Sequence, residues 1–174
     1  RRQRQMCIRD SGGNIQLSTD ITVDKAQNWT ITKDVVLDLN GKKLTNNVDQ
    51  LNYYIMKVSE ASLTITDNSS NHDGIIESTS TNYGYGIQLR SGGQFTLLNG
   101  TIKTTQETVD IYTSAENCSI TISGGQLTSS SDSALCVRGE NTKVDITGGT
   151  LRSDGRTGIY VSNYGCLLYT SDAA

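Results

Sequence analysis

Three consecutive segments of the chain read GIQLRSGGQFTLLNGTIKT (86–104), DIYTSAENCSITISGGQLTS (110–129) and ALCVRGENTKVDITGGTLRS (134–153), and a fourth begins with GIYV (158–161). Equivalent positions recur roughly every 24 residues, which is the signature of stacked structural repeats. Each repeat in such a stack contacts only its neighbours, and the same kind of stack can present very different functional sites. The period therefore indicates the architecture and leaves the function open.

Each repeat contains three short runs in which apolar residues alternate with polar ones. In the first repeat two of the runs are 87–89 and 95–97, and the third follows Gly100, with Ile102 two residues later. Alternation places successive side chains on opposite faces of a strand, and a glycine lets the chain turn through backbone angles that other residues resist. The same glycine recurs in the next two repeats as Gly125 and Gly149.

Three strands per repeat, with no helical stretch between them, predict an all-β fold: a single-stranded parallel β-helix of about five to six rungs of roughly 24 residues. Equivalent strands would pair at about 4.8 Å and stack like residues into interior columns. A β-sandwich also has short strands and frequent turns, but it does not require a fixed period with glycine in register. One interior column is expected to contain Leu37, Leu63, Phe95, Ile120 and Val144.

The β-helix is expected to span residues 12–165, with an irregular first rung at 12–35. The two ends, RRQRQMCIRDS (1–11) and CLLYTSDAA (166–174), break the pattern and resemble translations of a transposase-type sequencing adapter. Codons for MCIRD, read on the opposite strand and one base out of phase, encode CLLYT, so one DNA sequence accounts for both peptides. We therefore expect both ends to be adapter-derived and the β-helix to be an internal piece of a longer reading frame.

The composition disfavours several classes of function. The chain has 174 residues, with 34% hydrophobic residues, 17 glycines, no proline and a net charge of −3. It has no apolar run long enough to cross a membrane, and its arginine-rich stretch belongs to the adapter-like start, so neither membrane insertion nor nucleic-acid binding is expected. No histidine stands within a cysteine or serine motif and no phosphate-binding loop is present, so no cofactor is expected. Cys118 and Cys136 lie at different rung positions, which gives no clear reason for a disulfide.

The segments VVLDLNGKKLT (35–45), ASLTITDNSSNHDGIIES (61–78) and SITISGGQLTS (119–129) resemble a recurring pattern in large surface proteins of gut bacteria. In that pattern an LDLNG turn precedes an LTITD strand, and rungs with a GG-x-[IL] turn follow. The resemblance covers residues 13–165 and implies a right-handed, pectate-lyase-like β-helix from a secreted or wall-anchored protein. Related stacks serve as adhesin stalks, glycan-binding modules and polysaccharide lyases, so the resemblance specifies architecture better than chemistry.

Lyases of this fold usually gather several acidic residues and a basic one, often with calcium, on one outer groove. Glu116 and Glu140 occupy equivalent turns one rung apart, near the separation of a retaining glycosidase pair. Two acids on a turn are more often simply solvated, so these two residues are the candidates and no catalytic residue is assigned. The expected outward positions contain no column of carboxylates: Gln88, Tyr112, Cys136 and Tyr160 on the first strand, and Thr64, Thr96, Thr121 and Asp145 on the second.

An aromatic edge is the better candidate for a binding site. Tyr112 and Tyr160 are expected to point outward from the same strand, and Tyr85 lies near its start in an earlier rung. Exposed aromatic faces can stack on sugar rings, and Arg90 and Arg138 can donate hydrogen bonds nearby. The tyrosines could instead simply cover an exposed sheet, since tyrosine favours strands. The residues that extend this edge are Tyr53, Tyr54, Tyr83 and Asn163.

The loop DNSSNHDG (67–74) is rich in oxygen ligands, and Asp67 and Asp73 are its candidates for a metal site. Its glycine falls in the wrong place for an EF-hand loop, and His72 has no second histidine or cysteine nearby. A polar insertion between strands is the simpler interpretation, so no metal is assigned.

The sequence thus favours a non-catalytic segment of an extracellular or wall-anchored bacterial surface protein, a stalk or adhesin with carbohydrate contact along the tyrosine-bearing strand face. The expected partners are glycans or ligands on host or bacterial surfaces, and the open end rungs are expected to fray or to associate end to end. The alternative is a fragment of a polysaccharide lyase or glycoside hydrolase whose catalytic rungs are missing.

Overall fold

A computed structural model describes residues 12–27 and 29–162, so both adapter-like ends and Asn163 lie outside the described residues. The described residues form eighteen strands and no helix, and therefore no helix that could cross a bilayer. In chain order the strands are β1 (Gly13–Gln16), β2 (Ile21–Val23), β3 (Thr30–Ile31), β4 (Val35–Asp38), β5 (Lys43–Asn46), β6 (Tyr54–Val58), β7 (Ser62–Thr66), β8 (Ile75–Ser78), β9 (Tyr85–Leu89), β10 (Gln94–Leu97), β11 (Thr101–Thr104), β12 (Val109–Ile111), β13 (Ser119–Ile122), β14 (Gln126–Ser129), β15 (Leu135–Val137), β16 (Lys143–Ile146), β17 (Thr150–Ser153) and β18 (Ile159–Val161).

The strands form three parallel sheets, each of which takes every third strand along the chain. Sheet A runs from β1 to β16, sheet B from β2 to β17 and sheet C from β3 to β18, with six strands in each. Because every turn contributes one strand to each sheet, the described residues make six turns of a β-solenoid. Phe95 pairs with Ile120 and Ile120 with Val144, in agreement with the sequence period. The predicted parallel β-helix is confirmed.

The core is a narrow stack of aliphatic columns, because each strand turns alternate side chains into the solenoid. Leu37 was expected in the column of Phe95, but it pairs with Ile65 in the neighbouring column. Val35 and Leu37 are both buried, since a shift of two residues keeps a side chain on the same face. The alternation thus identifies inward residues without identifying their partners one turn away. The observed column contains Val35, Leu63, Phe95, Ile120 and Val144.

Sheet C contains a second difference in register, and this one changes the candidate site. The repeat alignment placed Tyr112 in the outward column of the sheet, but Asp110 occupies that position. The observed register buries Val109 completely, whereas the predicted one would have turned Thr113 inward in its place, and Thr113 is exposed. Burial of the more apolar residue favours the observed register. Tyr112 therefore lies just past β12, at the position that Arg90 holds one turn earlier.

Glycines at the corner between sheets A and B allow the turns to stack closely. Gly125 has a φ of +74°, in the left-handed region that other residues rarely adopt. A Cβ atom on Gly125 would also lie 2.7 Å from the carbonyl oxygen of Gly100 in the adjacent turn. Both conditions exclude a side chain at this corner, and they explain why glycine recurs with the period of the fold.

Replacing Gly125 by Ala is expected to lower the free energy of unfolding by about 2–4 kcal/mol, through left-handed backbone strain and a backbone clash. The matched control is Gly13→Ala, because Gly13 has a φ of +90° but a Cβ atom added to it would meet no atom within 4 Å. Urea unfolding should show a clearly smaller loss for the control. Equal losses would mean that close stacking of the corners does not constrain the fold.

Candidate functional site

The outer face of sheet C is unlike an ordinary exposed sheet face, because its central outward residues are buried. Gln88, Asp110 and Cys136, on β9, β12 and β15, each expose 3% of their surface or less. Side chains from other turns contact them, notably Tyr54 on β6 and Arg138 after β15. We call the following group the polar cluster: Tyr54, Gln88, Glu107, Asp110 and Arg138.

Asp110 is the centre of the polar cluster and has no exposed surface. One carboxylate oxygen accepts hydrogen bonds from the Tyr54 hydroxyl at 2.9 Å and from the Gln88 amide at 3.0 Å. The other oxygen lies 3.4 Å from the Arg138 guanidinium. Burial raises the pKa of Tyr54 far above its ordinary value and the nearby Asp110 raises it further, so the hydroxyl remains a donor. The buried carboxylate is therefore both paired and hydrogen-bonded, as burial of a charge requires.

Arg138 joins two carboxylates, because it pairs with Glu107 as well as with Asp110. Its guanidinium also lies 3.5 Å from the sulfur of Cys136. Burial lowers the pKa of Arg138, but Asp110 and Glu107 outweigh that effect and raise it, so the guanidinium stays charged. The sequence predicted that Arg138 contacts a ligand. In the structure Arg138 is the counter-ion of Glu107 and Asp110.

Carboxylates gather on this face, although the sequence predicted no column of carboxylates among its outward positions. Glu107 and Asp132 belong to the turns that precede β12 and β15, and an oxygen of each lies within 4.8 Å of the other. Ser129 holds both turns, since its hydroxyl donates to the carbonyl of Gln106 and accepts from the N–H of Asp132. The outward columns were predicted from strand positions alone, and they therefore leave out the acids that reach the face from turns.

Glu107, Asp132 and Cys136 are also the one group of metal-ligand atoms that converges within residues 12–27 and 29–162. Burial raises the pKa of the Cys136 thiol to about 12, so the sulfur is a neutral thiol. Arg138 already pairs with Glu107 and contacts this sulfur. Because the Arg138 guanidinium already supplies a positive charge to these side chains, we assign no metal to them.

The exposed part of the face carries the predicted aromatic residues. The Arg90 guanidinium lies 3.8 Å from the centre of the Tyr112 ring, which is a cation–π contact. Tyr112 is 39% exposed and Tyr160 is 44% exposed. Tyr85 contacts Tyr54 with ring centres 4.8 Å apart. The five predicted binding residues thus share one sheet face, but Tyr112 and Tyr160 occupy neighbouring columns rather than a single one.

A cleft of about 380 Å³ opens beside this face in the first turns of the solenoid. The Tyr53 hydroxyl accepts a hydrogen bond from the backbone N–H of Gln27 at 3.0 Å, which ties the two sides of the cleft together. Aromatic rings combined with a few polar groups are the usual lining of a ligand site. The sequence included Tyr53 and Tyr54 in an aromatic edge but did not predict a cleft, because its walls come from an irregular rung. The lining residues are Ala26, Gln27, Trp29, Gln50, Asn52, Tyr53, Tyr54 and Lys57.

The candidate acids Glu116 and Glu140 lie in the turns between sheets C and A. A parallel bridge joins their backbones, which confirms that the two turns are equivalent and one rung apart. Both side chains are exposed. Stacking of equivalent turns therefore accounts for their proximity without a catalytic role.

Asp67, a candidate metal ligand, organises its own loop. Its carboxylate accepts hydrogen bonds from the backbone N–H groups of Gly41, Ser69 and Gly74. Burial raises the pKa of Asp67, but the hydrogen bonds from Gly41 and Gly74 outweigh it and hold the pKa below its ordinary value. Asp73 is exposed. The loop is thus a polar insertion with a buried carboxylate as its hub.

Replacing Asp67 by Asn is expected to cost about 1–3 kcal/mol of stability at neutral pH, because a buried backbone donor loses its acceptor. The parent should exceed the variant in free energy of unfolding by the full amount above about pH 4. This difference should shrink as the pH falls through the lowered pKa of Asp67. Urea unfolding between pH 7 and pH 2 measures it, with the exposed Asp73→Asn as the control. A pH-independent difference would contradict the assignment of Asp67 as a buried charged hub.

Comparison of this chain with models of known protein families, with curated proteins and with solved structures finds no match. The strand pairing alone therefore establishes the β-solenoid.

Proposed function

We propose that this chain is a non-catalytic, glycan-binding segment of an extracellular bacterial surface protein, and that the glycan binds along the outer face of sheet C. The observation that supports this most is the contact of Arg90 with the exposed ring of Tyr112. The guanidinium covers one side of the ring and fixes its orientation. A flat, amphipathic ring held in this way can stack on the apolar face of a sugar.

The spacing of the aromatic residues suits an extended ligand. Tyr112 follows β12 and Tyr160 lies on β18, with β15 between them in sheet C. At about 4.8 Å for each strand spacing, the two rings stand roughly 10 Å apart along the solenoid axis. A ligand that contacts both would run along the axis and across the strands. Arg90 holds the Tyr112 ring, and Tyr160 lies on a strand that pairs with β15, so little ordering of the protein is needed on binding.

A second candidate function is hydrolysis of a glycosidic bond, which the proximity of Glu107 and Asp132 favours. One carboxylate oxygen of each lies within 4.8 Å of the other. The two carboxyl groups of a retaining glycosidase are about 5 Å apart. Asp132 retains some exposure, with 17% of its side chain accessible. The opposing observation is that Glu107 is almost buried and forms an ion pair with Arg138.

Glycan binding is tested on an array with the parent and the double variant Tyr112→Ala/Tyr160→Ala. We expect the double variant to lose at least about tenfold in affinity, which corresponds to about 1.4 kcal/mol of stacking energy. Leu98→Ala is the matched control, because Leu98 is 43% exposed and lies after β10, away from sheet C. Undiminished binding by the double variant would exclude the aromatic face as the binding surface.

The hydrolase candidate is tested by incubating the parent with each glycan that it binds and measuring new reducing ends. Under the non-catalytic proposal no reducing ends appear above those of a heat-denatured sample. Cleavage that Asp132→Asn abolishes and the exposed Asp154→Asn leaves intact would replace the proposal with the hydrolase. Asp154 is a suitable control because it forms an exposed ion pair with Arg152.

A further inference from the structure

Two cationic side chains lie side by side at the cleft end of the outer face of sheet C. Lys57 on β6 pairs in register with Gln88 on β9, and Arg90 follows two residues after Gln88. The backbone N–H of Arg90 donates to the carbonyl of Val58 at 2.8 Å. Burial lowers the pKa of Lys57, and the neighbouring Arg90 lowers it further, as two close positive charges require. The fold therefore holds two like charges close together, one on β6 and the other just after β9.

Neither cation is neutralised by a carboxylate within the part of the chain that the structure describes. Lys43 pairs with Glu77, Arg138 with Glu107 and Asp110, and Arg152 with Asp154, whereas Lys57 and Arg90 form no ion pair. Glu60 lies in the turn beside Arg90, where its N–H donates to Ser91, and its side chain is exposed.

The two cations are also held in place. Lys57 is only partly exposed and lines the cleft together with Tyr53 and Tyr54. The ring of Tyr112 contacts the Arg90 side chain. The thiol of Cys118 donates a hydrogen bond to the Arg90 backbone carbonyl at 3.1 Å. A charge that is held and partly desolvated interacts more strongly with an anion than a solvated surface lysine does.

We propose that the ligand is an acidic glycan, and that its carboxylate or sulfate group binds between Lys57 and Arg90. This inference rests on the proposed function, and it adds the charge of the ligand to it. The sugar that carries the anionic group would lie at the mouth of the cleft, with Tyr53 on one side and Tyr112 on the other. The planar guanidinium of Arg90 can pair with two oxygens of the anion, while Lys57 supplies a point charge.

The test compares dextran, carboxymethyl-dextran and dextran sulfate of equal length, which share one backbone and differ in their charged groups. Affinities are measured for the parent, Lys57→Gln, Arg90→Gln and the exposed control Lys103→Gln. We expect at least one charged polymer to bind at least tenfold more tightly than dextran, in a salt-sensitive manner. Lys57→Gln and Arg90→Gln should each lose about tenfold of this affinity, and Lys103→Gln less than twofold. Preference for carboxymethyl-dextran or for dextran sulfate identifies the anionic group.

Equal effects of Lys57→Gln and Lys103→Gln would overturn the inference, because binding would then reflect general charge. Absence of any preference for the charged polymers would also overturn it. If neutral glycans on the array still bind in a manner that depends on Tyr112, the proposed function stands without this inference, and if no glycan binds, both fail. Thermal unfolding checks the fold of the variants, and Lys57→Gln should unfold no earlier than the parent because it removes a like-charge contact.

Discussion

Turn-to-turn register is the constraint on which the rest of this structure depends. Three parallel sheets hold each turn at about 4.8 Å from the next, so every side chain meets the residue that stands at its own position in the adjacent turn. Inside the solenoid this selects small aliphatic residues, and at the corner it selects Gly125 over any residue with a Cβ. Outside, the same rule decides which charges meet. Arg138 reaches Asp110 because the strands before it pair Asp110 with Cys136.

The sequence predicts the part of the fold that periodicity controls. Alternation and the recurring glycine are local signals. They suffice to predict three strands per turn and the residues that face inward. Register is not local, since it depends on the relative lengths of turns, and Ile111 faces inward in either of two alignments. The observed alignment exchanges Tyr112 for Asp110 in the outward column and creates the centre of the polar cluster. Glu107 and Asp132 escaped prediction because the alternation that marks side-chain direction along a strand does not extend into turns.

The polar cluster links more turns than backbone pairing does. The Tyr54 hydroxyl on β6 reaches Asp110 on β12 across β9, and Arg138 after β15 reaches the same carboxylate. Side chains from four successive turns thus meet at one buried charge. A buried ion pair is seldom a gain in stability over an apolar contact of the same size, and the aliphatic core is continuous without it. What the cluster adds is a set of contacts that link the side chains of these turns on a face where neighbouring rings are exposed.

The charges on this face fall into two regions along the solenoid. Lys57 lies on β6, and the acids of the cluster surround β12 and β15, two to three strand spacings away, or roughly 10–14 Å. Lys57 and Arg90 form no ion pair with these acids, and Arg138 is already engaged by two of them. An anion at the cleft meets an uncompensated positive field, while the same group moved two turns along the axis would meet a negative one. Under the proposal made above, this difference would hold the anionic group of the glycan at the cleft end of the face.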